Sequence, residues 1–317
     1  MKSFLNDKHL QNEEAAYAWV EARIWPNGPV CPHCGGVERI SKMGGKSTRI
    51  GAYKCYQCRK PFTVKVGTIF ESSHVPMHLW LQAIYLLSSS KKGISSNQLH
   101  RTLGCTLKTA WFISHRIREA MRDGGLSPMG GAGGIVEADE TYFGPTKEKK
   151  VSPQRKGRPF TKRGRTGPAS KRAIVSLVER GGKARSFHVE NADKLTVVGI
   201  VTSNVDRETR LHTDESRLYA DADQHFVSHE TVKHSAKEYA RGDVNTNSVE
   251  GYFSIFKRGM KGVYQHCGER HLHRYLSEYD FRYNNRIALG VNDETRAEIA
   301  LKGIVGKRLT YQTTSEG

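Results

Sequence analysis

The sequence lacks any apolar stretch near the roughly 20 residues that a membrane-spanning helix needs. Its opening segment, MKSFLNDKHLQNEEAAYAWV, carries acids and lacks the apolar core of a signal peptide. These two absences argue against a membrane-spanning or exported protein, so we expect a cytoplasmic location. Cysteine is also scarce, at 6 of 317 residues, and its spacing does not indicate an extracellular disulfide framework.

Acidic residues are too few to balance the basic ones. The chain has 32 Asp and Glu against 50 Lys and Arg, which gives a formal net charge of +18. Such an excess favours a polyanionic partner, and nucleic acid is the first candidate. A basic protein that binds a membrane surface is the alternative. At 317 residues, the chain has room for more than one domain.

Four of the six cysteines form two CxxC pairs, CPHC and CYQC, with 20 residues between the pairs. Two such pairs can close a tetrahedral zinc site, and the short Thr-, Val- and Tyr-rich segments around them suit a β-ribbon. Four unrelated buried thiols are the alternative, which this spacing disfavours. We therefore predict a zinc ribbon over residues 26–72, after an N-terminal helix within residues 1–25. The predicted zinc ligands are Cys31, Cys34, Cys55 and Cys58.

Residues 76–124 have the pattern of a small helical domain. The segments MHLWLQAIYLL, SSNQLHRTLG and CTLKTAWFISHRIREAM follow one another, with a break at 88–93 and a turn at Gly104. The last two segments make a candidate helix-turn-helix for DNA binding, and a purely structural helical domain is the alternative. The basic residues that we expect to be available for a DNA groove include Lys108, Arg116 and Arg118.

The Gly-rich segment GGLSPMGGAGG, at 124–134, marks the boundary to a third domain, which we place at residues 133–290. Within it, residues 144–172 hold eleven Lys or Arg and one acid, Glu148. Such a run is too polar for a core and predicts a mobile basic loop that binds nucleic acid; a solvated loop without a specific partner is the alternative. Residues 291–317 are expected to form a C-terminal tail. The candidate DNA-binding residues of the loop are Arg155, Lys156, Arg158, Lys162, Arg163 and Arg165.

The rest of the third domain combines strand and helix patterns. IVEADETYFG, KRAIVSLVE and ARSFHVE predict three strands, and the Gly-Gly pair between the last two predicts a hairpin turn. A helix is expected to begin near Asn191, and TRLHTDES predicts a fourth strand that is followed by further helices. This order predicts an α/β (α+β) domain with a mixed sheet and helices packed on it.

Three carboxylates occupy positions that can meet at one edge of this sheet. Asp139 lies near the end of the first strand and Asp214 at the end of the fourth. Glu250 lies on an amphipathic helix in NTNSVEGYFSIFKRG, with Lys257 almost two turns later on the same face. Clustered carboxylates repel one another unless a cation holds them, and oxygen ligands select Mg²⁺ or Mn²⁺. A pair of such ions supports phosphoryl transfer, and the substrate here would be DNA.

Two further acids flank Asp139 on its strand. The alternation of side chains along a strand places Glu137 on the same face as Asp139 and Glu140 on the opposite face. Glu137 could support the site from behind, but we expect it to be a solvent-exposed strand residue.

The blocks VEADETYFG, LHTDESRLY, NTNSVEGYFSIFKRG and HLHRYLSEYDFRYNNR resemble the signature blocks of bacterial insertion-sequence transposases of the ISXO-like group, which carry an N-terminal zinc ribbon. The resemblance runs from the segment WPNGPVCPHC through the last of these blocks. It implies a ribonuclease-H-like catalytic domain with a DDE-type triad at Asp139, Asp214 and Glu250, followed two turns later by a basic residue, here Lys257. Members of the group vary at the third position, where Asn can stand in, so Asn247 is the rival or assistant of Glu250.

The resemblance also implies a function. Such an enzyme binds the terminal inverted repeats of its insertion sequence, cuts there by metal-assisted hydrolysis with Mg²⁺ or Mn²⁺, and joins the freed 3′-hydroxyl to target DNA. It implies a structural zinc ion, a homo-oligomer that holds two DNA ends, and a place at the bacterial nucleoid. The alternatives are a zinc-containing DNA-binding regulator or domesticated transposase that does not cut, and a ribonuclease-H-like nuclease that does not join strands.

Overall fold

The computed structural model describes residues 4–124, 127–146, 171–236, 238 and 240–310. The chain divides into two compact units. Unit 1 consists of residues 1–123 together with residues 285–317, and unit 2 consists of residues 124–284. No helix in the described ranges is long and apolar enough to cross a membrane.

The regular elements are numbered in chain order through the described residues. The helices are α1 (Lys8–Gln11), α2 (Glu13–Ile24), α3 (Met77–Ser89), α4 (Ser96–Leu103), α5 (Leu107–Met121), α6 (Lys194–Asn204), α7 (Asn247–Gly259), α8 (Leu272–Asn284) and α9 (Asp293–Lys302). The strands are β1 (Ile40–Lys42), β2 (Tyr53–Cys55), β3 (Pro61–Phe62), β4 (Ile135–Pro145), β5 (Lys171–Glu179), β6 (Ala184–Val189), β7 (Arg210–Asp214) and β8 (Ser228–Val232).

In unit 1, the ends of α4 and the buried face of α5 follow from their own residues. The Ser95 hydroxyl accepts a hydrogen bond from the Gln98 amide at 3.1 Å and so caps α4. Gly104, at φ +64°, then ends that helix in the left-handed conformation that favours glycine. The apolar stripe of α5 is buried as its spacing predicts, including Ile113 and Ile117.

Helix α9 is the main departure from the predicted organisation of unit 1. We expected residues 291–317 to form a tail, but α9 packs against α3 and α5 and buries Ala297 and Leu301. The buried guanidinium of Arg296 donates from Nη1 to the carbonyl oxygen of Ser88 at 3.1 Å. The prediction of a tail is therefore wrong for the residues of α9. Small side chains and one buried cation stabilise this helix, and its sequence lacks the strong apolar pattern by which a packed helix is recognised.

The sheet of unit 2 has the strand order β6-β5-β4-β7-β8. Strands β4, β5 and β6 pair antiparallel, whereas β4 with β7 and β7 with β8 pair parallel. The turn between β5 and β6 places Gly181 at φ +74°, as the Gly-Gly pair predicts. The predicted mixed sheet of an α/β domain with helices packed on it is thus confirmed.

Helices cover both faces of this sheet. On one face, side chains of β4 and β5 pack against α6, where Val136, Leu177 and Val201 are buried. On the other face, β5 packs against α7 and α8, with Ile174 and Phe256 in the core. A strand that is covered on both faces needs apolar side chains on both of them. This explains the continuous apolar run in the sequence KRAIVSLVE of β5.

Strand β8 is not among the four strands predicted from the sequence. Its segment, SHETV, buries only Val232 fully, and it pairs in parallel with β7 at the edge of the sheet. An edge strand with polar side chains carries little of the alternating apolar pattern by which strands are recognised.

Candidate active site

Strands β4 and β7 bring the two predicted aspartates together. In their parallel pairing, Glu137 lies opposite His212. Asp139 and Asp214 each follow two residues later along their strands, so the register directs both side chains to the same place. Strand β7 ends at Asp214, and β4 pairs with it only from Ile135 to Glu137. Beyond Glu137, β4 therefore has no hydrogen-bonded pairing with β7.

A third acid, Glu140, joins this pair. Asp139, Glu140 and Asp214 each offer one carboxylate oxygen, and these oxygens all lie within 4.8 Å of one another. The Tyr219 hydroxyl donates to Glu140 Oε2 at 3.1 Å, and the Ser216 amide donates to Asp214 Oδ1 at 3.0 Å. Adjacent strand residues point to opposite faces, but the Glu140 side chain also reaches the cluster, where the hydroxyl groups of Tyr219 and Ser216 bond its carboxylate. Sequence alternation alone did not indicate this.

The negative charges of the clustered carboxylates repel one another, and this repulsion raises carboxyl pKa values. Burial, then the negative charges of Glu140 and Asp214, and more weakly Glu250, raise the pKa of Asp139 to about 8. Burial and the charge of Asp214 also raise the pKa of Glu140. A divalent cation would offset both effects, and three carboxylate oxygens at this separation match the ligands that Mg²⁺ and Mn²⁺ prefer. The residues present thus fit such an ion.

Glu250 lies on the first turn of α7, and its side chain is 50% exposed. Its Oε1 accepts a hydrogen bond from the Thr246 hydroxyl at 2.9 Å and lies 3.5 Å from Nε2 of His234. Its charge acts on Asp139, although Glu250 is not part of the group within 4.8 Å. Asn247 is exposed at the start of the same helix.

Lys257 lies two turns along α7 and is partly buried. Burial lowers the pKa of its ammonium group, while the negative charge of Asp139 opposes that change. Glu250 and Lys257 therefore both interact with Asp139 electrostatically from one helix.

Glu137 is not the exposed residue that we expected. Its side chain is fully buried and forms an ion pair with Arg180 at 2.7 Å. A buried carboxylate requires such partners, and they are supplied by residues distant in sequence that no strand pattern reveals.

The four paired cysteines form the predicted cluster, in which Cys55 ends strand β2 of the small antiparallel sheet β1-β2-β3 and the other three lie outside its strands. The Sγ atoms of Cys31 and Cys58 lie 3.6 Å apart, and those of Cys34 and Cys55 lie 3.7 Å apart. Zn–S bonds of about 2.3 Å in a tetrahedron require sulfur separations of about 3.8 Å. The cluster therefore fits a structural zinc ion.

The predicted DNA-binding residues of α5 differ in their exposure to solvent. Lys108 is exposed on the first turn of α5. Arg116 and Arg118 are only 4% and 1% exposed, so the prediction that they face a DNA groove is wrong. Arg116 donates to the carbonyl oxygens of Ile69 and Glu71 at 2.6 and 2.8 Å and thereby holds a loop of unit 1. Arg155, Lys156, Arg158, Lys162, Arg163 and Arg165 lie outside the described residues.

Two family models match the sequence of the chain. Residues 131–284 match the ISXO2-like transposase domain, and residues 11–61 match the transposase zinc-ribbon domain. A curated relative from Halobacterium salinarum, named as an uncharacterized protein in transposable element ISH50, is 29% identical over 89% of this chain and 92% of its own length.

Solved structures of Mos1 transposase give weaker matches. The Mos1 strand transfer complex is 13% identical, with a TM-score of 0.23 over 64% of this chain and 76% of that chain. The Mos1 paired-end complex with the left transposon end is also 13% identical, with a TM-score of 0.21 over 72% and 79% of the two chains.

Proposed function

The chain belongs to the ISXO2-like transposases, and we propose that it binds the terminal inverted repeats of an insertion sequence, cleaves DNA there and joins the freed 3′-hydroxyl to target DNA. The observation that carries this proposal is the carboxylate cluster at the end of β7, where oxygens of Asp139, Glu140 and Asp214 lie within 4.8 Å. Acids this close in a chain of net charge +18 favour a catalytic metal centre that acts on a polyanion.

In this proposal, Asp139, Asp214 and Glu250 hold Mg²⁺ or Mn²⁺, and Glu140, whose carboxylate lies within 4.8 Å of the two aspartates, is a further ligand beside them. Two such ions, when bound, activate a water or 3′-hydroxyl on one side of a phosphodiester and stabilise the leaving oxygen on the other. The partly buried ammonium group of Lys257 binds a phosphate oxygen near the scissile bond and orients the strand. Asn247 remains the rival to Glu250 for the third position, because both residues lie on the first turn of α7.

The remainder of the chain would supply DNA affinity. The zinc ribbon, with its ion held by Cys31, Cys34, Cys55 and Cys58, and the helical segment with Lys108 would bind the repeats. The basic segment 144–172 would bind phosphates on either DNA partner. Because two element ends must be cut and joined together, we expect a homo-oligomer on DNA.

The test uses purified protein, duplexes that carry the repeats flanking its gene, and Mg²⁺ or Mn²⁺. We expect 3′-end cleavage and strand joining that Asp139→Ala and Asp214→Ala abolish. Asp221→Ala is the matched control, because Asp221 is a half-exposed acid of unit 2 that pairs with Lys194. Variants of Asp139 and Asp214 that cut and join as well as the unaltered protein would overturn the site.

The same assay separates the alternatives. Cleavage without joining indicates a nuclease, and binding without cleavage indicates a regulator. Comparison of Glu250→Gln with Asn247→Ala decides the third position: we expect the first to lose cleavage and the second to keep most of it, and a fully active Glu250→Gln would refute the choice of Glu250.

A further inference from the structure

Glu137 contacts the N-terminus of α7, the helix that carries Glu250 and Lys257. Its Oε2 accepts hydrogen bonds from the amides of Ser248 at 2.7 Å and Val249 at 3.1 Å. Its Oε1 accepts another from the Ser248 hydroxyl at 2.9 Å. These two amides are among the helix-start donors that no carbonyl within the helix can satisfy.

The helix does not supply this cap itself. Thr246 occupies the N-cap position, where a threonine hydroxyl ordinarily accepts from the second or third amide of the helix. Here that hydroxyl makes no capping bond and instead donates to Glu250 Oε1 at 2.9 Å. The cap therefore comes from β4, and the Thr246 side chain is left to orient Glu250.

Arg180 extends this connection to the residues before α7. Its guanidinium donates to Glu137 Oε1 from Nε at 3.1 Å and from Nη2 at 2.7 Å. It also donates to the carbonyl oxygens of Asp243 at 2.7 Å and Asn245 at 3.2 Å. One ion pair, buried at Glu137 and partly exposed at Arg180, thus joins strand β4, the turn after β5 and the start of α7.

From these contacts we propose that Glu137 is a positioning residue of the active site: it fixes the start of α7 to β4 so that Glu250 and Lys257 face Asp139. Asp139 lies two residues beyond Glu137 on the same face of β4, so one strand holds both the catalytic acid and the anchor of the helix opposite it. The proposal rests on the transposase function given above, and it assigns Glu137 no contact with DNA or metal.

The main test is the variant Glu137→Gln in the full chain. The amide keeps the size of the side chain but replaces one accepting oxygen with a donor, so either the cap or the pair with Arg180 is lost. Hydrogen exchange followed by mass spectrometry should then show faster exchange at the start of α7, with β5 unchanged. The matched control is Glu13→Gln, because Glu13 caps α3 in unit 1 in the same way, through the amides of Met77 and His78. That control should change exchange at α3 and leave α7 unaffected.

The catalytic readouts separate positioning from a general loss of stability. A displaced Glu250 should lower the cleavage rate at saturating DNA by about 10- to 100-fold, since errors of about 1 Å in position can cost that much. It should also raise the Mn²⁺ concentration that gives half-maximal cleavage, whereas partial unfolding lowers the rate and leaves that concentration unchanged. DNA affinity should change little, because α7 supplies only the Lys257 contact among the proposed DNA contacts.

Unchanged exchange at α7, or an unchanged Mn²⁺ requirement in Glu137→Gln, would overturn the proposal. If Glu137→Gln does not fold, Arg180→Lys serves instead, because it keeps the charge beside Glu137 but loses the forked contacts to Asp243 and Asn245. If the unaltered protein cleaves no DNA, the transposase function fails, and the exchange experiment still decides whether Glu137 fixes α7.

Discussion

Replacement of Asp139 by asparagine should make unit 2 more stable when Mg²⁺ and Mn²⁺ are absent. The carboxylates of Asp139, Glu140 and Asp214 crowd one another, and burial adds to the unfavourable energy of a charge at Asp139. Asparagine is of similar size and removes one of the repelling charges. The same change should abolish cleavage, so stability and activity should move in opposite directions.

The magnitude follows from the pKa of Asp139. A rise from 3.8 to about 8 corresponds to a ceiling of about 6 kcal/mol, at about 1.4 kcal/mol for each pKa unit. Asp139 is half protonated at pH 8, so we expect a gain of up to about 5 kcal/mol there and up to about 3 kcal/mol at pH 6. For a unit of this size, each kcal/mol raises Tm by roughly 2–4 °C.

The pH dependence has a definite sign. Because the pKa of Asp139 is higher in the folded protein than in the unfolded chain, the unfavourable contribution is absent below about pH 4, grows as pH rises, and levels off above about pH 8. The advantage of Asp139→Asn should therefore be larger at pH 8 than at pH 6. Lower pH is unsuitable, because protonation of the cysteines releases zinc.

The distribution of tryptophan provides an internal reference for the assay. Trp19, Trp25, Trp80 and Trp111 all lie in unit 1, so tryptophan fluorescence follows unfolding of that unit alone. Calorimetry follows both units, and Asp139→Asn should shift only the transition that fluorescence does not detect. Chelators are omitted, so that the zinc ribbon keeps its ion. A variant no more stable than the unaltered protein at pH 8, or a gain equal at pH 6 and pH 8, would refute the reasoning.

Three further predictions concern unit 1. Arg116→Met should lower the stability of the unit by about 3–5 kcal/mol, measured by tryptophan fluorescence in urea, because the carbonyl groups of Ile69 and Glu71 lose their buried donor. Lys108→Ala should leave stability unchanged and weaken DNA binding in a salt-dependent way; equal stability losses in the two variants would contradict the assignment of Arg116 to the interior. Cys55→Ser should reduce bound zinc, measured by colorimetric titration of the denatured protein, and loosen the sheet β1-β2-β3; full zinc content in this variant would contradict the four-cysteine site.

The helices and strands that could be predicted from the sequence are those whose apolar pattern or terminating residue lies within the element itself. The stripe of α5 and the apolar run of β5 each determine their own burial, so the helix and the strand lie where their residues indicate. The end of α4 at Gly104 likewise depends on one residue and its left-handed backbone. In each case, the information lies within the segment.

The structural features that the sequence did not predict depend on residues that lie far away in the chain. Strand β8 exists because β7 pairs with it, and its own residues carry little signal. Arg116 and Glu137 are charged, which favours exposure, but their partners lie in other segments: Ile69 for the first and Ser248 for the second. Glu140 lies in the acid cluster, and the hydroxyl groups that bond its carboxylate belong to Tyr219 and Ser216, more than 70 residues later in the chain.

The division of the chain has a consequence for its synthesis on the ribosome. Unit 1 is assembled from two segments that are separated by Gly124–Asn284, the whole of unit 2. Its helices α2 to α5 therefore emerge before α9, and at 5–20 residues per second the intervening chain takes about 10–30 s to make. Throughout that time, the part of α3 that α9 covers remains open to chaperones, while unit 2 receives all of its residues and can fold first. Helix α9 thus completes a unit whose other helices are translated before unit 2.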